Sequence, residues 1–249
     1  MGNQEPLSLR NSFLPLLPEH SLAADLLSEA ADDVLADRLT HAASLIQRAD
    51  MAALQQFASR IIDQVADDIH RFRVVEGAPP RTTTRASARM PSKAISLGVF
   101  ERDGWRCRYC ETRIVSFDAI NVLNKLFPSL VRRNGPAKRM HGGMRALAAS
   151  LDHILPHSRS GTNEPANLVA SCHPCQFGRN QWTLAEVGFF DPRDRRPIVD
   201  GWDGLTRLLT KDASEVILNA LERGLPDDIN SNSFAADDPS GATRTDDKI

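Results

Sequence analysis

Two strands and a following helix are predicted by residues 151–182, which read LDHILPHSRSGTNEPANLVASCHPCQFGRNQW. Two short apolar stretches, 151–155 and 167–171, flank a polar loop with glycine, asparagine and proline, a pattern typical of a β-hairpin with a long loop. Residues 176–182 can turn into a helix. Because side chains alternate between the faces of a strand, Asp152 and His153 should lie on opposite faces near a strand end.

The four cysteines of the chain form two C-x-x-C pairs, Cys107 with Cys110 and Cys172 with Cys175. Each pair lets a tight turn present two thiolates to one ion, and Zn²⁺ accepts four thiolates in a tetrahedron. Since no cysteine is left over among the 249 residues, the arrangement predicts a tetrathiolate zinc site with a structural role. Redox dithiols, or buried cysteines that share no ion, are the alternative interpretation.

The composition is that of a folded soluble protein, with 41% apolar and 25% charged residues. Nowhere do about 18 apolar residues follow one another, which excludes a membrane-spanning helix of the usual kind. The first twenty residues lack the basic start and the apolar run of a secretory signal. We therefore expect a cytoplasmic protein with one large domain or two small ones.

The net charge of −2 conceals an uneven distribution. Residues 81–145 carry 14 Lys and Arg against 4 Asp and Glu, whereas residues 1–80 carry 6 against 12. A basic block in a nearly neutral chain is typical of a surface that binds a polyanion such as DNA. A solvated charged face or linker explains the same pattern equally well.

The N-terminal segment, residues 1–76, is predicted to be helical. Apolar residues recur at three- and four-residue spacing over residues 21–73, and neither proline nor glycine interrupts this stretch. The simplest structure is a helical hairpin that packs on itself, on the rest of the chain or on a second copy. We therefore expect that residues 21–73 can form a homodimer or bind a partner protein.

The remaining organisation follows from composition and periodicity. A stretch rich in proline, threonine, serine and arginine reads as a basic linker, and a tail rich in aspartate, serine and asparagine reads as disordered. The predicted segments are the linker 77–94, a domain 95–225 with a helical insert 116–150 (short helices at 117–127 and 143–149), closing helices at 203–210 and 212–223, and the tail 226–249.

Several of these features together resemble the HNH nuclease family, in its branch with four cysteines around zinc. They are RDGWRCRYC at residues 102–110, Asp152-His153, Asn167 and the second cysteine pair. Their residue types, order and spacing agree with those of the family over residues 95–182. The resemblance implies an α+β fold with a ββα-metal core. It also implies an enzyme that cuts phosphodiester bonds in DNA with one divalent metal ion.

The resemblance also implies roles for individual residues. His153 would be the general base that activates water, and Asp152 would be a ligand of the catalytic Mg²⁺ or Mn²⁺. Asn167 would brace the hairpin loop and orient His153. Nine residues later the family usually has His or Asn, whereas this chain has Gln176, whose carbonyl oxygen still suits a hard cation. Arg179 would contact the scissile phosphate or its neighbour.

Each of these residues also has a less specific interpretation. Asp152 could cap a turn, His153 could be a packed hairpin residue, and Gln176 could simply start a helix. His157 and His173 lie outside the motif spacing, and loop or surface roles are expected for both.

Three classes of function remain open at the level of sequence. A metal-dependent DNA endonuclease explains the largest number of features. A zinc-containing DNA-binding module that has lost cleavage is the second, motivated by Gln176 and by the basic block at residues 81–145. An adaptor that binds proteins through residues 21–73 is the third, but it leaves the Asp-His-Asn set without a role.

Overall fold

The computed structural model describes residues 9–64, 69–70, 72, 75–82, 90–132 and 140–223; the predicted tail 226–249 lies outside them. Within these ranges the fold is α+β, as predicted, with nine α-helices and one two-stranded antiparallel sheet. The helices are α1 (Pro18–Leu35), α2 (Leu39–Ala49), α3 (Ala52–Ile62), α4 (Lys93–Arg102), α5 (Phe117–Leu126), α6 (Gly142–Leu147), α7 (His173–Arg179), α8 (Leu184–Val187) and α9 (Lys211–Arg223), and the strands are β1 (Ala149–His153) and β2 (Leu168–Cys172).

The N-terminal apolar pattern forms three helices, where a hairpin of two was predicted. α1 ends before Asp37, which takes the left-handed backbone conformation (φ 57°), and α2 begins at Leu39. The buried carboxylate of Asp33 closes this turn because it accepts hydrogen bonds from Arg38 Nε at 2.7 Å and His41 Nδ1 at 2.5 Å. The spacing of apolar residues continues across the turn, so the periodicity alone does not show the break.

Most of the helices share one apolar core. α1 packs against α2 and α6, and α9 packs against both α1 and α5. Buried members of this core come from each of these regions and include Leu27, Ile46, Leu123, Leu147 and Ile217. The apolar stripe of the N-terminal segment is therefore buried against the helical insert and the closing helix of its own chain.

Two glycines allow α6 to approach the N-terminal helices closely. A Cβ atom on Gly142 would lie 2.5 Å from the carbonyl oxygen of Met51, and one on Gly143 would lie 2.5 Å from that of Ala49. The buried ring of His141, which precedes α6, is hydrogen-bonded through Nε2 to a carbonyl oxygen of α2 at 2.8 Å. These contacts fix α6, and with it the start of β1, against the helical part of the molecule.

The strand–strand–helix order predicted for residues 151–182 is present. The register of the sheet pairs Ala149 with Cys172 and His153 with Leu168, so β1 begins and ends two residues earlier than predicted. β2 passes into α7 without a loop, because Cys172 is the N-cap of the helix and proline occupies its first turn. The helix consequently starts closer to the sheet than the sequence pattern indicates.

The boundaries of the linker and the closing segment differ slightly from the prediction. The hydroxyl of Ser92 caps α4 by accepting a hydrogen bond from the Ile95 amide at 3.3 Å, so the helix begins inside the predicted linker. The first closing helix is a single 3₁₀ turn at Thr206–Leu209, and the second is α9. Among the described helices, none is both long enough and apolar enough to cross a lipid bilayer.

Candidate functional site

The four cysteines converge on one point. Cys107 and Cys110 lie in the turn after α4, whereas Cys172 ends β2 and Cys175 lies in the first turn of α7. All four sulfur atoms lie within 4.8 Å of one another, and the Cys110 and Cys172 sulfurs are 3.7 Å apart. Thiolates about 2.3 Å from a tetrahedral Zn²⁺ are about 3.8 Å apart. The cluster therefore has the ligands and the spacing to hold a metal ion such as zinc.

Burial and mutual contact separate the pKa values of these thiols. Burial raises the pKa of Cys172 well above its usual value, and contacts with the first cysteine pair raise it further. Burial opposes ionisation of Cys107 as well, but hydrogen bonds from the other three thiols outweigh it and lower the pKa of Cys107. Because metal binding requires thiolates, a cation that enters this cluster must displace protons.

Asp152 and Arg179 form a buried ion pair that joins β1 to α7. Arg179 Nε donates to Asp152 Oδ2 at 2.6 Å, and Arg179 Nη2 donates to Oδ1 at 2.5 Å. The two side chains are 0% (Arg179) and 4% (Asp152) exposed. The hydroxyl of Tyr109, which lies between the first two cysteines, donates to Asp152 Oδ2 at 2.8 Å. The carboxylate therefore accepts three hydrogen bonds from two neighbouring side chains.

Burial and charge shift the pKa values of Arg179 and Tyr109 in this group. Burial would lower the pKa of Arg179, but the charge of Asp152 outweighs burial and raises it. Burial raises the pKa of Tyr109 well above its usual value. Arg179 therefore stays charged and Tyr109 remains a hydroxyl donor at neutral pH.

The position of Arg179 corrects the expectation that it contacts the scissile phosphate. A guanidinium has five N–H groups, and those of Arg179 that do not bind Asp152 point to backbone carbonyls of His153, Ile154 and Trp182. No N–H remains for a phosphate, and the side chain is fully buried. Arg179 is a positioning residue, because it fixes the end of β1 that carries His153.

The same contacts reduce the number of directions in which the Asp152 carboxylate can bind a metal ion. A carboxylate has about four directions for accepting hydrogen bonds or binding a cation, and three are occupied. Asp152 contributes to the wall of the cavity that also contains His153. One direction can therefore still serve an ion in that cavity, although the positive charge of Arg179 offsets much of the attraction.

His153 lies at the end of β1 and is held by a loop residue. Its Nε2 atom is 2.8 Å from Asn163 Oδ1, so Nε2 carries the proton in this contact and Nδ1 keeps its lone pair. Burial lowers the pKa of His153, and the Asn163 hydrogen bond only partly offsets this. The ring is therefore neutral at pH 7 and has one nitrogen available to accept a proton.

Asn167 braces the hairpin loop, as the resemblance implies. Its Oδ1 atom accepts a hydrogen bond from the Leu155 amide at 2.9 Å, and its Nδ2 atom donates to the carbonyls of Leu155 at 3.1 Å and Thr162 at 2.9 Å. Gly161 is required inside this brace, because a Cβ atom there would lie 1.7 Å from the Leu155 carbonyl oxygen. The loop that follows His153 is thus closed on itself by one side chain.

A cavity of about 340 Å³ opens between the hairpin loop and α7. Asp152 and His153 reach it from β1, and Gln176 reaches it from α7, so the structure brings three of the predicted site residues together. Ser158 also lines it, and its buried hydroxyl has no hydrogen-bond partner among the described residues. The polar residues that line the cavity are Ser150, Asp152, His153, His157, Ser158, Gln176, Asn180 and Gln181.

Much of the predicted basic block is used within the protein. Arg145, only 6% exposed, donates twice to Asp63, and Arg108 is buried against backbone carbonyls of the 190–195 region. Further ion pairs join Arg102 to Asp103, Arg106 to Asp200 and Arg113 to Asp25. Arg85, Arg89, Arg133, Lys138 and Arg139 of the block lie outside the described residues. In the described part, the positive charge is therefore largely structural.

Sequence reasoning missed the two residues that complete the site. Tyr109 lies between the first two cysteines, and a buried tyrosine hydroxyl needs a hydrogen-bond partner, so this requirement was a usable signal. Asn163 was one of several polar residues in a predicted loop. No spacing rule distinguishes it from its neighbours, because its role depends on how the loop folds back onto His153.

Comparisons of the chain with protein-family models, with curated proteins and with solved structures found no match. A function for this chain has to be inferred from its residues, their motif and their geometry.

Removing the Asp152 carboxylate should strongly destabilise the protein. The Asp152→Ala variant leaves the Arg179 charge buried and unpaired, and a loss of this kind typically costs about 3–5 kcal/mol in the free energy of unfolding. Chemical denaturation of the full chain measures this free energy of unfolding. The control is Arg223→Ala, which removes an exposed pair with Asp37 and should cost less than about 1 kcal/mol. Equal losses of unfolding free energy in the two variants would contradict a stabilising role for the buried Asp152–Arg179 ion pair.

Proposed function

We propose that the protein is a metal-dependent endonuclease of the HNH type, which hydrolyses phosphodiester bonds in DNA. The observation that carries the proposal is the state of His153 in the cavity. A neutral imidazole, with one nitrogen fixed by Asn163 and the other free to accept a proton, is what a general base at neutral pH requires. The braced loop and the order β1, β2, α7 around it agree with the resemblance described above.

In the proposed reaction, His153 Nδ1 accepts a proton from the water molecule that attacks phosphorus. The Asn163 amide holds the opposite ring nitrogen, so the ring does not need to reorient before the proton moves. Arg179 fixes the carbonyl of His153 itself, and Asn167 fixes Leu155, two residues further along the chain. A rigid support of this kind stabilises the reactive geometry before the substrate arrives.

Asp152 and Gln176 are the residues that would hold a catalytic Mg²⁺ or Mn²⁺. One carboxylate and one amide oxygen form a small donor set, and it suits Mg²⁺, which usually keeps several waters and binds substrate phosphate. Bound there, a divalent cation would supply charge that stabilises the transition state of phosphodiester hydrolysis.

We further propose that the cysteine cluster holds zinc and that this ion is structural. Four thiolates complete the coordination of Zn²⁺ and leave no position for water or substrate. The ion would connect the turn after α4 to the junction of β2 and α7. It would therefore hold Tyr109, and through it Asp152, in place.

A DNA-binding module without cleavage activity is the second candidate function. The observation in its favour is the Asp152–Arg179 ion pair, since the charge of Arg179 weakens the attraction of Asp152 for a cation.

The proposal also includes a DNA-binding surface, a cytoplasmic location, and a homodimer or partner complex formed through residues 21–73. For the last, most of the described apolar residues of this segment are already buried within the chain, whereas Leu22 is 49% exposed.

Zinc should be found in stoichiometric amount and should be required for folding. We expect one zinc ion per chain by elemental analysis of protein purified without added metal. Cys175→Ser should lose the ion and lower the unfolding temperature, because the binding energy of a structural zinc contributes to folding. His173→Ala changes a residue that lies between Cys172 and Cys175. This variant is the matched control and should keep its zinc. Folded wild-type protein without zinc would overturn this assignment.

Cleavage should be detected as nicking of supercoiled plasmid in Mg²⁺ or Mn²⁺ and should stop on addition of EDTA. His153→Ala should reduce the rate by about 10²–10⁴-fold, since that is the usual contribution of a general base. Its zinc content, unfolding temperature and DNA affinity should match those of the wild type. Binding of the plasmid by wild-type protein without any metal-dependent nicking would favour the second candidate function.

The dependence of cleavage on pH should reflect the lowered pKa of His153. A general base is inactive when protonated, so kcat/KM should fall as the pH drops through that pKa, below the usual histidine value of 6.5. Asn163→Ala removes a contact that raises the pKa of His153, so the acid limb should move to lower pH while the maximal rate falls. A lower rate with an unmoved acid limb would mean that Asn163 acts on the loop alone.

A further inference from the structure

A second imidazole shares the cavity with His153. His157 lies in a 3₁₀ turn at His157–Arg159, and the centroid of its ring is 5.7 Å from that of His153, with the ring planes 60° apart. Both rings line the same cavity. The motif spacing assigns no role to His157, so the structure alone draws attention to it.

The turn that carries His157 is held on its C-terminal side by Arg159. This side chain is buried and donates to the Gln181 carbonyl at 3.0 Å and to Glu186 Oε1 at 2.9 Å. On the N-terminal side, Asn167 clamps Leu155 through both its amide and its carbonyl. His157 is therefore placed by fixed backbone on both sides, which is the condition for a side chain that must meet a substrate at a defined point.

A phosphodiester that enters the cavity can lie against both rings. The rings are neither stacked nor coplanar, their centroids are 5.7 Å apart, and both border the same open cavity. Hydrolysis needs two proton transfers, one away from the attacking water and one to the leaving oxygen. A single imidazole cannot do both at the same moment, since it holds either a lone pair or a proton at the reacting nitrogen.

Among the described lining residues, His157 is the remaining group suited to donate a proton. The amides and the hydroxyls that line the cavity do not release protons near neutral pH, and the Asp152 carboxylate is engaged by Arg179 and Tyr109. Imidazole is the side chain whose protonated and neutral forms are both accessible at this pH. Asp152, His153 and His157 also do not form a three-ligand metal group, since the cysteine cluster is the one such group in the described chain.

We propose that His157 is the general acid of the phosphodiester hydrolysis assigned above, an inference that rests on the proposed function. His153 takes the proton of the attacking water as the new P–O bond forms. His157 gives its proton to the leaving oxygen as the old P–O bond breaks. Each ring then exchanges one proton with solvent, so water is the only co-reactant and both residues return to their starting states.

The test compares two phosphodiesters that differ in their need for an acid. Plasmid DNA has an alkoxide leaving group that must be protonated, whereas bis(p-nitrophenyl) phosphate releases a stable p-nitrophenolate that does not. The variants are His157→Gln, His157→Asn and His153→Ala in the full chain, all assayed with Mn²⁺. His41→Gln on α2, with its side chain 57% exposed and outside the cavity, is the matched control.

We expect His157→Gln to slow plasmid nicking by about 10²–10⁴-fold and to leave hydrolysis of bis(p-nitrophenyl) phosphate close to that of the wild type. His153→Ala should slow both reactions, and His41→Gln neither. If His157→Gln fails to fold, as judged by thermal unfolding, His157→Asn takes its place.

Two results would overturn the inference about His157. Equal losses on both substrates would mean that it supports the site without donating a proton, and an unchanged nicking rate would mean that it has no part in the reaction. Failure of the proposed function itself would look different. In that case wild-type protein would hydrolyse neither substrate in a manner that depends on His153.

Discussion

The buried ion pair between Asp152 and Arg179 is the interaction on which the rest of the site depends. It connects the last turn of α7 to β1, and the remaining N–H groups of the arginine fix the carbonyls that follow. A charge pair removed from water is stable when its geometry is good and further hydrogen bonds to its members offset the loss of water. Tyr109 fills one of them, and the tyrosine is in turn placed by the cysteine pair on either side of it. The cysteine cluster and the cavity are therefore two ends of one connected structure.

This connection separates two tasks within a small region. At one end, four cysteines can hold a metal ion that links segments far apart in sequence. At the other end, the loop after β1 carries His153 and His157 into the cavity, and Asn167 and Arg159 hold that loop from opposite sides. These hydrogen bonds fix the backbone that carries the two histidines. Such rigidity is what acid–base chemistry on a phosphodiester requires.

The sequence predicted those parts of the structure that follow from local pattern. The convergence of the cysteines and the hairpin depend on residue type and spacing, which are visible in the chain itself, whereas the brace by Asn167 was implied by the family resemblance. The burial of Arg179 was not predictable, because spacing places a residue on a helix but does not say which groups surround its side chain. The break at Asp37 was hidden because the spacing of apolar residues continues across it, whereas polar side chains, those of Asp33, Arg38 and His41, close the turn.

The central claim is that the cavity beside His153 binds a catalytic cation, separate from the ion held by the cysteines. A crystal structure of the full chain grown with Mn²⁺ and a short DNA duplex tests it, with anomalous data collected at the manganese and zinc absorption edges. We expect zinc among the four cysteine sulfurs, and manganese in the cavity within bonding distance of Asp152 and a DNA phosphate. A zinc peak with the duplex bound elsewhere, and no manganese in the cavity, would contradict the account.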